Sequence, residues 1–366
     1  MTNIIASPSR YIQGNGVLGE LRLYAEKLGK KFFILVSSSG IKRVQDIIQS
    51  GIAGSDIAVH FEIFTGECSR KEIERVREAF SGSGSDLIIG IGGGKIHDTA
   101  KAAAFYEQAP LIIVPTIAST DAPCSALSVI YSDTGVFEEY LFFPSSPNIV
   151  IVDTGIVAAA PSRLLVAGMG DALATYFEAR ACVASQATNC VGGKAGLAAY
   201  KLAQLCYETL LRDGYNARIA AENGICTKAV ENIIEANTYL SGIGFESAGL
   251  AAAHALHNGM TAIEETHAFY HGEKVAFGTL VQLVLENAAN DLEDAFTFCE
   301  AVGLPITLAD LGVKKPDPAK LKKAAALACA DGDTMGNMPF TVTPDMAYNA
   351  ILAADALGRA RAGTVS

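Results

Sequence analysis

The chain has 366 residues, and Lys+Arg against Asp+Glu gives 28 − 39 = −11 at neutral pH. At ~150 residues per domain this length predicts two domains. Half of the residues are hydrophobic and 18% are charged, which excludes wholesale disorder. The acidic balance excludes a nucleic-acid binder's basic footprint, and no apolar run reaches the ~18 residues of a membrane helix.

The opening MTNIIASPSRYIQG has no charged segment followed by an apolar core and cleavage site, so the expected location is cytoplasmic. Short apolar runs follow: KFFILV (31–36), IAVHFEIF (57–64), DLIIGIG (86–92), PLIIVP (110–115) and NIVIVD (148–153). Each is bounded by Gly, Ser, Pro or Asp, the pattern of strands buried on both faces. Helical patterns near 18–28, 40–50, 69–80 and 96–106 alternate with them, which predicts a parallel, doubly wound sheet. Residues 125–143 flank Asp133-Thr134-Gly135 with two apolar stretches and read as an antiparallel hairpin. Beyond Asp153 the β-branched runs stop. Helical patterns occupy 162–184, 194–212, 227–242, 246–259, 272–289, 290–302, 317–330 and 344–360. The expectation is an α/β nucleotide-binding domain over 1–160 and an all-helical metal- and substrate-binding domain over 161–366, with a ligand in the crevice between them. None of the eight cysteines stands in a C-x-x-C pair, which leaves zinc ribbons and thioredoxin-type motifs without support.

Within the first domain a buried strand runs into Gly92-Gly93-Gly94-Lys95, and a helix follows. Glycine admits positive φ and lets a ligand approach the backbone, and a helix N-terminus offers N–H groups to a phosphate. Neither G-x-G-x-x-G nor the P-loop pattern fits, so this is a phosphate-cradling turn of a third type, with Lys95 as a point charge. His97, near that helix N-terminus, would favour phosphate as a cation and do little as a neutral group. After the next strand, Thr116, Ser119 and Asp121 stand in a polar loop at a strand's carboxyl end, where open α/β sheets hold ligands.

Four of the six histidines, His254, His257, His267 and His271, crowd into 254–271. His254 and His257 are three apart on a helical pattern, and His271 opens the next helical stretch. Upstream, Asp171 is a carboxylate in an apolar helical setting, where an acid needs a partner or a metal. Two imidazoles and one carboxylate suit a catalytic Zn²⁺ with open positions.

The stretches GIGGGK (90–95), PTIASTDAPCSALSVIY (115–131), GMGDALATYFEARAC (168–182), ANTYLSGIGFES (236–247), GLAAAHALHNG (249–259) and YHGEKVAFG (270–278) resemble the glycerol dehydrogenase family. That family lies within the iron-containing (group III) alcohol dehydrogenase superfamily, of dehydroquinate synthase-like architecture. The resemblance implies zinc-dependent oxidation of glycerol and related vicinal diols to dihydroxyacetone, with hydride transfer to NAD. It implies Asp171, His254 and His271 as zinc ligands, with Asp121 and His254 beside the substrate. It places NAD on Gly92, Gly93, Gly94, Lys95, Asp98, Thr116, Ser119, Ser125, Leu127 and Tyr131. It also implies a homo-oligomer, commonly an octamer, with no nucleic-acid or membrane partner. Iron-dependent relatives carry a His four residues after the ligand Asp, and here that position is Thr175, which points to zinc. His257 reads as a near-site hydrogen-bonding residue. At Ser37 the family pattern has an Asp that holds the adenosine ribose and repels a 2′-phosphate. With Ser37 in its place NAD is still expected, and NADP stays open. The alternative is a related NAD(P)-dependent enzyme acting on other diols, hydroxyketones or 2-hydroxy acids.

Overall fold

The computed structural model describes residues 2–364. The chain divides into two compact units. One runs from Ala6 to Pro161 and includes Gly224–Cys226; the other takes the residues before Ala6, Ser162–Asn223 and the stretch from Thr227 onward.

In order, the first unit contains β1 (Arg10–Gly14), α1 (Leu21–Ala25), β2 (Lys31–Ser37), α2 (Ile41–Ile52), β3 (Ala58–Phe64), α3 (Arg70–Ser83), β4 (Leu87–Gly92), α4 (Gly94–Glu107), β5 (Leu111–Pro115), β6 (Leu127–Tyr131), β7 (Phe137–Phe142), β8 (Ile149–Asp153) and α5 (Thr154–Ala158). Six strands form one sheet in the order β1-β8-β5-β4-β2-β3, every neighbouring pair parallel. Phe32 to Val36 and all of β4 are buried, as expected of strands covered on both faces. The five apolar runs are strands to within a residue, and β6 and β7 pair antiparallel around the anticipated turn. The sequence pattern did not predict β1. Its RYIQG stretch is an edge strand against β8, half-exposed along most of its length, so it carries no continuous apolar run.

The second unit is helical: α6 (Ser162–Ser185), α7 (Leu197–Glu222), α8 (Lys228–Glu235), α9 (Ser241–Ala248), α10 (Ala252–Met260), α11 (His271–Leu285), α12 (Ala289–Val302), α13 (Pro318–Ala328) and α14 (Pro344–Thr364). Two expected boundaries move. The stretch from α8 through a π turn at Ala236–Leu240 into α9 is continuous and ends at Gly249, whose φ of 110° breaks it. The helix expected to end at 212 runs on to Glu222 through Gly214, which packs against the Phe298 ring instead of stopping the helix.

His97 takes the second of its two expected states, the neutral one. It is 2% exposed, its ring nitrogens lie outside hydrogen-bond limits, and the carbonyls of Gly92 and Val114 are the polar groups that face it. Burial, and then the Lys101 ammonium, pushes this imidazole down to about 3, so it is neutral and offers no charge to a phosphate. Between pH 6.5 and 3 only the unfolded chain takes up a proton at this group, so its contribution to stability falls as pH is lowered through that window. His97→Gln is expected to flatten the acid limb of stability, by about 3 kcal/mol at pH 4 relative to pH 7. Urea midpoints at the two pH values check this, and equal losses in both proteins would refute it.

Candidate metal centre and dinucleotide site

The helical unit builds its candidate metal centre on a close crossing of α6 and α11. A Cβ on Gly170 would lie 2.3 Å from the Gly272 carbonyl oxygen, and one on Gly272 would lie 1.8 Å from that of Ala167. No side chain fits between these backbones, so the neighbours of the two glycines, Asp171 and His271, are brought together. The start of α11 is fixed further by Glu273, which accepts the Tyr270 N–H (2.8 Å). The same carboxylate takes a two-point bond from Arg163 at the start of α6 (2.6 and 2.9 Å).

His254 arrives from α10. Glu178, fully buried, sits two helical turns beyond Asp171 and so on the same face of α6. Its Oε1 accepts the N–H groups of Ala251 (2.8 Å) and His254 (2.9 Å), and its Oε2 lies 2.6 Å from His254 Nδ1. This holds the opposite ring nitrogen toward Asp171. Asp171 Oδ1 is then 3.1 Å from His271 Nε2 and 3.5 Å from His254 Nε2. The three potential ligand atoms lie within 4.8 Å of one another, and no second such trio of His, Cys, Asp or Glu exists among the described residues. Tetrahedral ligands about 2.0–2.1 Å from a zinc ion stand roughly 3.3 Å apart, so one carboxylate oxygen and two imidazoles at these spacings fit the ion.

Without an ion, the three groups compensate one another's charge. Burial pushes the Asp171 carboxyl up, but the imidazoles of His271 and His254 more than offset it and hold it below the usual carboxylate range. Burial pushes His254 down, while Glu178 and Asp171 outweigh it and hold the ring well above its ordinary value. His257 stands behind His271, its Nε2 3.1 Å from His271 Nδ1. Burial, then the charges of His271, Lys274 and His254, holds His257 well below its ordinary value. Thr175 is fully buried and 2.8 Å from the Ser241 hydroxyl.

The α/β unit gathers the dinucleotide candidates at the carboxyl ends of its strands. Neighbouring strands β2 and β4 lead away in opposite directions, β2 to β3 and β4 to β5, which makes a topological switch point there. Ser37 ends β2, and its hydroxyl accepts the Gly40 N–H at 3.0 Å. Gly92 ends β4, and Gly93 and Gly94 open α4. None of the three glycines has positive φ, which corrects the first of the two reasons given for them above. Crowding takes its place at the first two: a Cβ on Gly92 would lie 2.5 Å from Ile96 Cδ1, and one on Gly93 3.1 Å from Ile117 Cδ1. At Gly94 a Cβ would meet only Thr120 Oγ1, at 4.0 Å, so this glycine faces open space beside a helix N-terminus, the form of an anion cradle. The half-exposed Lys95 is ion-paired with Glu67.

Several other candidates are turned inward. Asp98 is buried, accepts the Val129 N–H (3.2 Å) and lies 3.5 Å from the Lys101 ammonium, with its carboxyl pushed up by burial. That ammonium donates to Ser125 Oγ (3.0 Å), the Leu127 carbonyl (3.0 Å) and the Ala122 carbonyl (2.5 Å). The Asp98, Ser125 and Leu127 groups thus fasten the loop after β5 and strand β6 to α4. Thr116 is buried, with its N–H on the Gly92 carbonyl (2.9 Å), and Ser119 is half-buried. Tyr131 is half-buried, its phenol pushed up to about 12 by burial and then by the Asp98 charge. Asp121 is 8% exposed and precedes the turn Ala122–Cys124 of the same unit.

Residues 8–154 match the family model described as iron-containing alcohol dehydrogenase. The chain is 54% identical to a glycerol dehydrogenase of Escherichia coli, with 98% of each chain covered. It is 52% identical to one of Citrobacter freundii, covering 98% of this chain and 99% of that one. Its fold superposes on the crystal structure of glycerol dehydrogenase from Schizosaccharomyces pombe with a TM-score of 0.94 at 37% identity, covering 98% and 91% of the two chains. The chain belongs to the iron-containing alcohol dehydrogenase family.

In this alcohol dehydrogenase the residues that the sequence did not reveal are those behind the candidate ligands. Glu178 left a signal, a second carboxylate seven residues after Asp171 in an apolar helix. Glu178→Ala strands two buried N–H groups, an expected loss of ~1–3 kcal/mol of stability. It also releases the His254 ring, an expected 10–100-fold loss of zinc affinity on the scale of such supporting carboxylates. Thermal unfolding of the metal-free protein and zinc competition against a chromogenic chelator measure the two separately, and unchanged zinc affinity would remove Glu178 from the centre.

Proposed function

We propose that the chain is a zinc- and NAD-dependent glycerol dehydrogenase that converts glycerol, and related vicinal diols, to the corresponding hydroxyketone. The observation that carries this reading is the Asp171–His254–His271 cluster in a chain more than half identical, over nearly its full length, to glycerol dehydrogenases. In the overall reaction glycerol loses a hydride from its central carbon and a proton from the hydroxyl on that carbon. The products are dihydroxyacetone, NADH and a proton. When bound, Zn²⁺ supplies a Lewis acid that lowers the pKa of a hydroxyl, and NAD⁺ supplies the hydride acceptor.

This chain's residues do the rest by position and charge. Asp171, His254 and His271 would hold the ion beside the substrate diol, one carboxylate and two imidazoles being a donor set that suits zinc. Zinc is favoured over iron because Thr175, where iron-dependent relatives carry a fourth ligand, is spent on Ser241. Asp121 accepts a hydrogen bond from a further substrate hydroxyl and fixes the pose, and His254 is the second substrate-side residue of this reading. Gly92, Gly93, Gly94 and Lys95 take the pyrophosphate of NAD, supported by the open space at Gly94. Lys95 exchanges Glu67 for a phosphate oxygen when the dinucleotide arrives. Thr116, Ser119 and Tyr131 line the rest of that site, while Asp98, Ser125 and Leu127 shape it from beneath by their bonds to Lys101 and Val129. Ser37 takes the adenosine ribose without a negative charge. In this reading residues 1–160 form the NAD-binding domain and 161–366 the metal- and substrate-binding domain, in a cytoplasmic homo-oligomer, an octamer by family resemblance.

The first test is NAD⁺ reduction with glycerol before chelation, after it, and after zinc is restored. Loss and recovery are expected; activity on hydroxyketones or 2-hydroxy acids but not on glycerol would replace the substrate. Asp171→Ala is expected to lose zinc and activity together, and a variant that keeps both would remove Asp171 from the centre. Ser37→Asp restores a charge that repels a 2′-phosphate. It is expected to raise the NAD-to-NADP ratio of kcat/KM about tenfold, some 1.4 kcal/mol, and an unchanged ratio would take Ser37 out of the cofactor site.

A further inference from the structure

A carboxylate stands beside the Gly94 cradle of the α/β unit. Lys95, the residue after that glycine, is ion-paired with Glu67. Glu67 lies in none of the sequence stretches that carry the family resemblance. It belongs to the short loop between β3 and α3, and that loop is fastened on both sides. Thr65 donates its N–H (3.0 Å) and its hydroxyl (2.8 Å) to the Glu72 carboxylate. The Cys68 carbonyl accepts the Tyr131 N–H (2.9 Å), and the Ser69 hydroxyl donates to Asp133 (2.6 Å). Within the loop the Ser69 N–H bonds the Glu67 carbonyl (2.8 Å). A Cβ on Gly135, in the turn between β6 and β7, would lie 3.8 Å from Glu67 Oε1.

A diphosphate binds where cations and N–H groups converge, and a carboxylate at that place has the wrong sign for it. Two anions then claim one ammonium. A surface ion pair is worth little when both side chains must be ordered to make it. Here one partner is ordered already. The side chain of Glu67 is 22% exposed against 56% for Lys95, and its backbone is held at the residues on either side. The carboxylate therefore stays within reach when Lys95 turns to a phosphate oxygen, and its claim on the ammonium persists.

We propose that Glu67 is a resident competitor for Lys95 that lowers the affinity of the site for the dinucleotide. Glu67 acts through Lys95 and is a positioning residue, and the inference rests on the reading of Gly94 and Lys95 as the seat of the NAD pyrophosphate. A dehydrogenase must exchange NADH for NAD⁺ at every turnover, and release of a product held too tightly limits the rate. A built-in counter-charge keeps the cradle selective for a diphosphate while holding it less firmly than its N–H groups and Lys95 alone would.

The test is calorimetric titration of the full-length protein with NADH, after thermal unfolding has shown that each variant is folded. Glu67→Gln keeps the shape and removes the charge, and is expected to bind NADH about fivefold more tightly at low salt. At ~1 M salt the gain is expected to shrink to about twofold or less, because the charge is then screened. Glu67→Ala repeats the measurement should the Gln variant not fold. A merely structural Glu67 would give weaker binding, or a change indifferent to salt, and either result overturns the competitor, as does wild-type affinity. Lys95→Met is expected to weaken NADH binding about tenfold. In that background the gain from Glu67→Gln is expected to fall to about twofold or less, with no ammonium left to compete for, and an undiminished gain also overturns the competitor. If Lys95→Met binds NADH like wild type, the reading of the cradle itself fails; if it weakens binding while Glu67→Gln changes nothing, the cradle stands and the competitor falls.

Discussion

The helical unit depends on one backbone contact. Gly170 in α6 and Gly272 in α11 meet with no room for a side chain, so the distance between two helices is set by peptide groups and not by packing side chains. Side-chain contacts between helices tolerate rotamer changes, whereas peptide against peptide does not. The position of Asp171 relative to His271 is therefore fixed by rigid geometry next to it in the chain. The bond network of Arg163, Glu273 and Tyr270 fixes the rotation of α11 about that contact.

Placing a charge in such a setting is costly unless it is matched. Asp171 is 1% exposed and Glu178 is fully buried, two carboxylates on one face of a largely apolar helix. Each is compensated differently. Glu178 takes two backbone N–H groups and an imidazole, which holds the start of α10 against α6. Asp171 faces two imidazoles, and a dication at that point would add to the compensation. The α/β unit uses the opposite economy. Its buried Lys101 is surrounded by carbonyl and hydroxyl oxygens that belong to the fold, and it organises a loop without facing outward.

Much of this was legible in the sequence because the physics was local. A strand buried on both faces has to be apolar along its length, and KFFILV, LIIGIG and IVIVD are. The crowding of four histidines into eighteen residues and an aspartate inside an apolar helix pointed to the residues that the fold gathers into one candidate cluster. What escaped was set by contacts distant in the chain. The edge strand β1 exists because β8 lies beside it, 139 residues away at Arg10 and Ile149. Asp333 reaches Asn258 across 75 residues with no shared motif. His97 stands near a helix N-terminus in sequence, yet its ring turns into the interior, because a helix presents successive side chains to different sides. Of the two reasons the sequence suggested for the glycine turn, positive φ does not hold; steric closeness to Ile96 and Ile117, not a left-handed backbone, excludes side chains at Gly92 and Gly93.

The three side chains of the centre are not equally shielded. Asp171 is 1% exposed, His254 13% and His271 36%. The cluster is thus a blind socket with one open lip, and His271 is the lip. The ring at the head of α11 is therefore the member of the cluster that solvent reaches most readily, while the carboxylate behind it is sealed from water.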